Sequence, residues 1–363
     1  SLEHLSFSWV YEEDGAAVAS GELTVPSVHP GQSADVPLPP LPDVTGEGWL
    51  TVRAALSEAT AWASAGHVVA WGQLSVAPAP MPPAAAVGAA VHREGTELRL
   101  GLGTFDAATG LLTTLGGHRV HGPRLDLWRA PTDNDRGAEP SEESQWRAAG
   151  LHRLQHRVAA VESRDSELVV RTRVAPPSLG FGLLADYHWT ADGERLRLRV
   201  EVEPDGEWPC TMPRLGLRMA VPGSFGAIEW FGAGPGEAYA DSRQAARVGR
   251  FARTVEELQT PYVYPQENGN RADTRWLRLS SADGAGIRID GEPQFDFSAR
   301  RWTSEELEAA RHIVDLEPGE LVHLNLDLAQ HGLGTASCGP GVLPQYRLHA
   351  QKAGFTLTFS ARG

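Results

Sequence analysis

Pro261-Tyr-Val-Tyr-Pro-Gln-Glu-Asn-Gly-Asn-Arg-Ala-Asp-Thr-Arg-Trp-Leu-Arg-Leu279 packs two prolines, three aromatics, a polar turn and a strand-like tail into one short stretch. From Thr274 on, Thr-Arg-Trp-Leu-Arg-Leu sets apolar against cationic residues, the two-residue period of a strand with one wet face. Pro261 and Pro265 bias the preceding segment toward an extended course that edge positions tolerate. Asn268-Gly269 is a turn signal, because both residues accept positive φ. The stretch reads as a rigid aromatic loop that delivers the Glu267 carboxylate and two amides, Asn268 among them, to the mouth of a β-sheet.

Composition agrees with a sheet-built chain. Hydrophobic residues make up 41% of the 363, enough for a packed core, and 39 Gly and 26 Pro in non-periodic positions favour many short strands joined by tight turns. A net charge of −14 excludes nucleic acid as a partner, since its phosphates would be repelled. No apolar run approaches the roughly 18 residues of a membrane span, so no membrane partner is expected. Cys210 and Cys338 form neither a disulfide framework nor a metal pair, which leans toward a reducing, cytoplasmic setting. Ser1 opens directly in strand-like sequence, as at a boundary cut from a longer protein.

In chain order, residues 1–77 read as strands at Leu5–Tyr11, Ala17–Val25, Ala34–Leu38, Gly48–Leu56 and His67–Val76, an immunoglobulin-like sandwich. Trp9, Trp49, Trp62 and Trp71 read as its packing. Residues 78–90 are a Pro/Ala-rich linker. Residues 91–363 carry strands from Leu98–Phe105 and Leu111–Leu115 through to Gly354–Ser360, with others expected at Ile313–Leu316 and Gln345–Leu348. So many strands need a two-sheet super-sandwich. Two short helices are expected, Ser141–Ala149 and Ser304–Ala310, the second behind the capping box Thr303-Ser-Glu-Glu306.

Four motifs stand out: the opening stretch, Leu127-Trp-Arg-Ala-Pro-Thr-Asp-Asn-Asp-Arg-Gly137, Trp230-Phe-Gly-Ala-Gly-Pro-Gly-Glu-Ala-Tyr239, and the segment from Gly332 to Leu348. Together they resemble, in the same order, signatures near the C-terminus of the large bacterial β-galactosidases of glycoside hydrolase family 2. The resemblance implies an all-β chain: an N-terminally truncated immunoglobulin-like β-sandwich followed by a large galactose mutarotase-like β super-sandwich. It further implies that the catalytic barrel, with its two glutamates and a divalent metal, lies outside this sequence. No catalytic residue, metal ligand or cofactor is then expected in this chain. Its expected role is to complete the active-site rim and support assembly, with the missing N-terminal and barrel domains, a galactoside substrate and a second copy of the polypeptide as partners. The alternative is an independent carbohydrate-binding or aldose-epimerase-like module.

The rim candidates are Asp133, Asn134, Asp135, Gly137, Glu267, Asn268 and Cys338. Alternate acids at Asp133 and Asp135 suggest calcium, but EF-hand spacing fails because Ser144 stands where a bidentate Glu is needed, and loop-tying Asx turns explain them better. Gly137 suits a loop that swings. The resemblance places an aromatic sugar contact of some relatives at Cys338, where a thiol offers no flat ring. Gly232, Gly234 and Gly236 fail as a dinucleotide fingerprint because Pro235 interrupts them. Glu237 and Glu267 invite a glycosidase pair, but capping and ion pairs with Arg243, Arg271 or Arg275 explain them better. An epimerase would need a His with a carboxylate, and His188 with Glu267 is the pair to test.

Overall fold

Arg195–Asp205 shows how the sequence builds the larger sheet. Leu196, Leu198, Val200 and Val202 are buried while Arg195, Arg197, Arg199 and Glu201 turn outward. Each buried aliphatic contributes about 1.5–3 kcal/mol. Because the side-chain period is two, a one-residue slip would expose all four at once, so the pairing of Trp189 with Leu198 and Tyr187 with Val200 is fixed by hydrophobicity.

The computed structural model describes residues 1–80, 88–137 and 139–361. It divides into two compact units, one of residues 1–82 with 247–250, the other of 83–246 with 251–363. Most of the Pro/Ala linker, residues 81–87, lies outside the described residues.

The first unit holds β1 (Leu5–Glu13), β2 (Ala16–Glu22), β3 (Gly48–Leu56) and β4 (Val68–Ala77), an antiparallel sheet in the order β2-β1-β3-β4. The strand expected at Ala34–Leu38 does not form; residues 23–45 run without regular structure, dense in proline. Tyr11, Leu50 and Leu56 are buried, but Trp71 is exposed and Trp62 is 67% exposed, so these two tryptophans are not the packing the sequence suggested. Gln73 pairs with the backbone of Val248 through both ends of its amide, at 2.7 and 2.8 Å, which ties Arg247–Arg250 into this unit.

The second unit opens with a meander: β5 (His92–Glu94), β6 (Glu97–Leu100), β7 (Gly103–Asp106), β8 (Leu112–Leu115) and β9 (His118–Arg119). The large sheet follows with β10 (His121–Asp126), β11 (Gln155–Arg164), β12 (Glu167–Ala175), β13 (Gly182–Asp192), β14 (Arg195–Asp205), β15 (Arg214–Pro222), β16 (Ala227–Gly234), β17 (Arg247–Thr254, of which residues from Phe251 on belong to this unit), β18 (Arg271–Ser280), β19 (Gly286–Arg300), β20 (Leu321–Gln330) and β21 (Ala353–Ser360). Its main path runs β10-β15-β20-β19-β21-β14-β13-β12-β11, and β18 joins β16 to β19. The sheet curls: the amide of Leu125 on β10 donates to the Tyr187 hydroxyl on β13 at 2.9 Å, although these strands are far apart along that path. The meander covers the inner face, with Phe105 edge-on to Trp189 at 5.0 Å, and both sheets share one core. The chain is all-β, and this unit is a sandwich.

Two short helices sit at one end. α1 (Glu142–Ala148) is capped by the Ser141 side chain, and α2 (Ser304–Ala309) by the Thr303/Glu306 box. Trp146 of α1 is buried edge-on to Trp128 and donates to Thr211 at 3.0 Å, a footing for the segment that follows β10. The strands expected at Ile313–Leu316 and Gln345–Leu348 are instead single turns of 3-10 helix, Ile313–Asp315 and Pro344–Tyr346. Val314 is 87% exposed and residues 313–316 pair with no strand among the described residues, so this short apolar run gains nothing from extension.

Candidate functional site

Three loops meet beyond the ends of β10, β18 and β20. The first follows Leu127, where Arg129 turns inward and is buried. Its guanidinium donates to the carbonyl oxygens of His331 at 2.6 Å and Gly332 at 3.3 Å, and pairs with Asp135 at 2.8 Å. Arg129 and Asp135 are both fully buried. The other Asp135 oxygen accepts from the Thr132 amide, and the Asp135 amide donates back to the Thr132 hydroxyl. Asp135 is therefore an Asx-type clamp on its own turn and an anchor for Arg129.

Asn134 reaches the second loop, donating to the Gly334 carbonyl at 2.8 Å and accepting from the Ser337 amide and hydroxyl at 3.1 and 2.7 Å. Asp241 holds the same loop by accepting from the amides of Leu333 and Gly334, each at 2.8 Å. Asp133 faces the third loop: its amide donates to Gln266 Oε1 at 2.8 Å. The Glu267 amide donates to the Ala130 carbonyl, and Asn268 accepts from the Thr260 amide. Of the expected Asn268-Gly269 turn, Gly269 takes the positive φ, +76°, with its amide on Glu237, but Asn268 does not and residues 268–270 run without an assigned turn.

Six of the rim candidates, Asp133, Asn134, Asp135, Gly137, Glu267 and Asn268, are thus tied into one cluster, and Cys338 lies exposed in the loop that Asn134 grips. Gly137 lies where two backbones pass closely. A Cβ there would meet the Ala336 carbonyl oxygen at 2.6 Å, so glycine is required for the close approach of two backbones. Gly137→Ala is expected to displace residues 332–341 and cost about 1–3 kcal/mol, read by thermal melting with limited proteolysis of that loop.

Glu267 lies at the centre. Burial alone pushes its carboxyl up, but Arg300, Arg214 and Arg129 together outweigh that and hold it below the usual range. Arg300 donates to Glu267 at 2.5 Å and to the Asn268 carbonyl at 2.5 Å, while Arg214 stands 3.2 Å from Glu267. The partners suggested by sequence are engaged elsewhere: Arg243 pairs with Asp273, and Arg271 donates to the Gly269 carbonyl. Glu237 accepts from Tyr262 and from the Gly269 amide, which makes it a cap. The His188–Glu267 pair is not assembled, because His188 bonds Glu167 at 2.9 Å. Among the described residues no three metal-binding side chains converge, and Asp133, Asn134 and Asp135 point to three different partners.

Glu267 and Asp135 are both buried and paired with arginines. What the cluster presents outward is a set of contacts: Asp133, Ser337, Cys338, Val263, and Tyr264 under the Arg136 guanidinium at 4.8 Å. Arg300, Arg214, Asp241 and Ser337 were absent from the sequence candidates. Only Ser337 carried a signal, its place inside a quoted motif.

Residues 103–360 match the family model described as beta galactosidase small chain, and residues 1–77 the model described as beta-galactosidase, domain 4. The chain belongs to the beta galactosidase small-chain family. Among curated relatives, the beta-galactosidase of Arthrobacter sp. (strain B7) is 37% identical, the alignment covering 97% of this chain and 37% of that protein. Beta-galactosidase 2 of Enterobacter cloacae is 32% identical, with 97% and 36% covered. The Kluyveromyces lactis beta-galactosidase is 30% identical, with 92% and 33% covered. The small-chain sequence thus spans about a third of the length of these relatives. Among solved structures, a galactose mutarotase-like protein from Lactobacillus casei aligns over 75% of this chain and 98% of its own at TM-score 0.38 and 11% identity. A putative aldose 1-epimerase from Escherichia coli K12 aligns over the same shares at TM-score 0.38 and 8% identity.

Proposed function

We propose that this small-chain region works as the C-terminal, non-catalytic part of a β-galactosidase acting on terminal β-D-galactosides, and that its three-loop cluster contributes to the rim of the active site. The observation that carries the reading is the pinning of three separate loops by buried Arg129–Asp135 and Arg300–Glu267 pairs, which fixes an outward set of polar and aromatic contacts. A positioning surface gains from such rigidity, since misplacement by about 1 Å can cost up to about 100-fold in rate.

In this reading the general acid, the nucleophile and any divalent metal belong to the barrel of the complete enzyme. The carboxylates of this cluster are neutralised by arginines, which does not suit them as metal ligands. Assembly with the other domains and with a second copy of the polypeptide belongs to the same proposal. The two free thiols support a reducing, cytoplasmic setting.

The test is hydrolysis of a chromogenic β-galactoside by this chain and by a polypeptide extended N-terminally through the barrel. Activity is expected only in the longer protein, where Asn134→Ala should raise KM by about 5–10-fold through loss of its three cross-loop hydrogen bonds. Hydrolysis by the short chain, abolished by Glu267→Gln, would overturn the reading.

A further inference from the structure

Where the curled sheet brings β10 back toward β11, β12 and β13, it leaves a cleft of about 210 Å³. The turn between β7 and β8 closes one side. Asp106 Oδ1 accepts from the amides of Ala108 and Thr109 and from the Thr109 hydroxyl, so this wall is preorganised and its own polar groups are occupied. Val158, Val170, Leu111 and Trp189 make the apolar lining. A second cleft of about 420 Å³ adjoins it and shares Leu111 and Arg124.

Four polar groups of the smaller cleft are not consumed by the fold. Thr172 is more than nine-tenths buried, and its hydroxyl lies beside the Tyr187 phenol with no hydrogen bond of good geometry among the described residues. A buried hydroxyl whose one polar neighbour is another hydroxyl keeps hydrogen-bonding capacity for a further group. Tyr187 accepts from the Leu125 amide, which leaves its O–H proton free to donate. The His156 imidazole makes no hydrogen bond among the described residues. Burial first, then Arg124 and Arg218, push its imidazole down to about 4, so at neutral pH it offers one donor and one acceptor.

At the mouth, Arg124 is exposed and has no acidic partner among the described residues. Its neighbour Arg218 is by contrast satisfied by Asp126 and Glu305, at 3.1 and 2.7 Å. One guanidinium is left over, where the two clefts join.

We propose that this cleft binds a sugar acid: a monosaccharide-sized polyol whose carboxylate pairs with Arg124 and whose hydroxyls meet Thr172, Tyr187 and His156. The volume lies below the roughly 300–1,000 Å³ of pockets for drug-sized ligands, which limits the occupant to about one sugar ring. Several neutral hydroxyl-type partners against an aromatic wall suit a polyol, and the free guanidinium suits a planar carboxylate. The loop cluster of the proposed active-site rim contributes none of these residues.

The experiment is titration calorimetry on the whole chain with galacturonate as probe, galactose as its neutral counterpart and acetate as the bare carboxylate. Saturable binding of galacturonate is expected, at least about tenfold tighter than galactose or acetate, because galactose lacks the charge-assisted contact and acetate lacks the hydroxyl contacts. Arg124→Gln changes an exposed side chain and leaves the fold intact, which near-ultraviolet circular dichroism checks. It should weaken galacturonate about tenfold, and Thr172→Val somewhat less. No saturable binding at about 10 mM, enough to detect a millimolar dissociation constant, would overturn the proposal. So would galactose or acetate binding as tightly as galacturonate, or Arg124→Gln binding as well as the parent.

Discussion

Glu267→Gln is expected to lower the unfolding free energy by about 3–5 kcal/mol, the range for removing one partner of a buried ion pair. The cause is what stays behind. Arg300, Arg214 and Arg129 are buried, and Glu267 is the carboxylate that all three feel. Asp135 remains to Arg129 and Asp327 to Arg214, at 3.6 Å, but among the described residues Arg300 keeps only neutral acceptors, the Asn268 carbonyl and Asn325. A neutral amide cannot replace the lost charge. Because the Glu267 carboxyl is held below its usual range, its contribution is present above the unfolded value near about 4.3 and is lost as pH falls through the folded value. The gap between parent and variant should therefore be widest at neutral pH and narrow in acid. Urea titrations at several pH values measure it, and a gap under about 1 kcal/mol at pH 7 would mean that the pair behaves like an exposed one.

The same cluster shows what a sequence can and cannot disclose. That Asp133, Asn134, Asp135, Glu267 and Asn268 belong together was legible, because each lies in a motif dense in turn-forming and polar residues. Their partners were not. Arg243, Arg271 and Arg275 are near Glu267 in the chain, yet Arg300 and Arg214 take it, because partner choice in a core follows strand neighbours: β15 and β19 each flank β20. Gly137 is a related case. Glycine is needed both for free rotation and for close approach, and only the position of Ala336 decides between them.

Strands followed a similar division. Where apolar residues alternate over many positions, as in β14, the pattern reports burial on one face, and the fold obeys it. Short apolar runs such as Ile313–Leu316 report no face. They become strands only if a sheet edge is within reach, which is a fact about the tertiary structure. The cleft bounded by Arg124, Thr172 and Tyr187 was illegible for the same reason. Its residues come from four strands and the β7–β8 turn, and the curl of the sheet brings them together.

Strand pairing also sets two acids against each other, and replacing one of them should stabilise the protein as pH rises. Asp296 on β19 lies directly opposite Asp327 on β20. Burial first pushes each up to about 7; for Asp327, Arg214 opposes this in part and the neighbouring Asp296 adds to it. With folded values above the unfolded value of about 3.9, the native state binds more protons between them, and this pair's contribution falls as pH rises across that window. The whole-protein profile hides the effect. His156 and His331, pushed down to about 4 and about 3, act oppositely: their native forms shed protons first, so their contribution grows as pH rises toward about 6.5. The difference between parent and Asp296→Asn cancels the histidines. Asp296 is the better site to change, because Asp327 is the one that faces Arg214. An amide at 296 can still accept from the Asp273 amide, now at 3.0 Å from the carboxylate. The variant is expected within about 1 kcal/mol of the parent at pH 5 and about 1–3 kcal/mol more stable at pH 8, where the parent must hold buried like charges opposite one another. Denaturant unfolding at half-unit pH intervals gives the difference curve. A flat curve would show that both carboxyls are already ionised at pH 5, with Arg214 and Arg243 outweighing burial; a rising one would show that the native strand pair carries a proton.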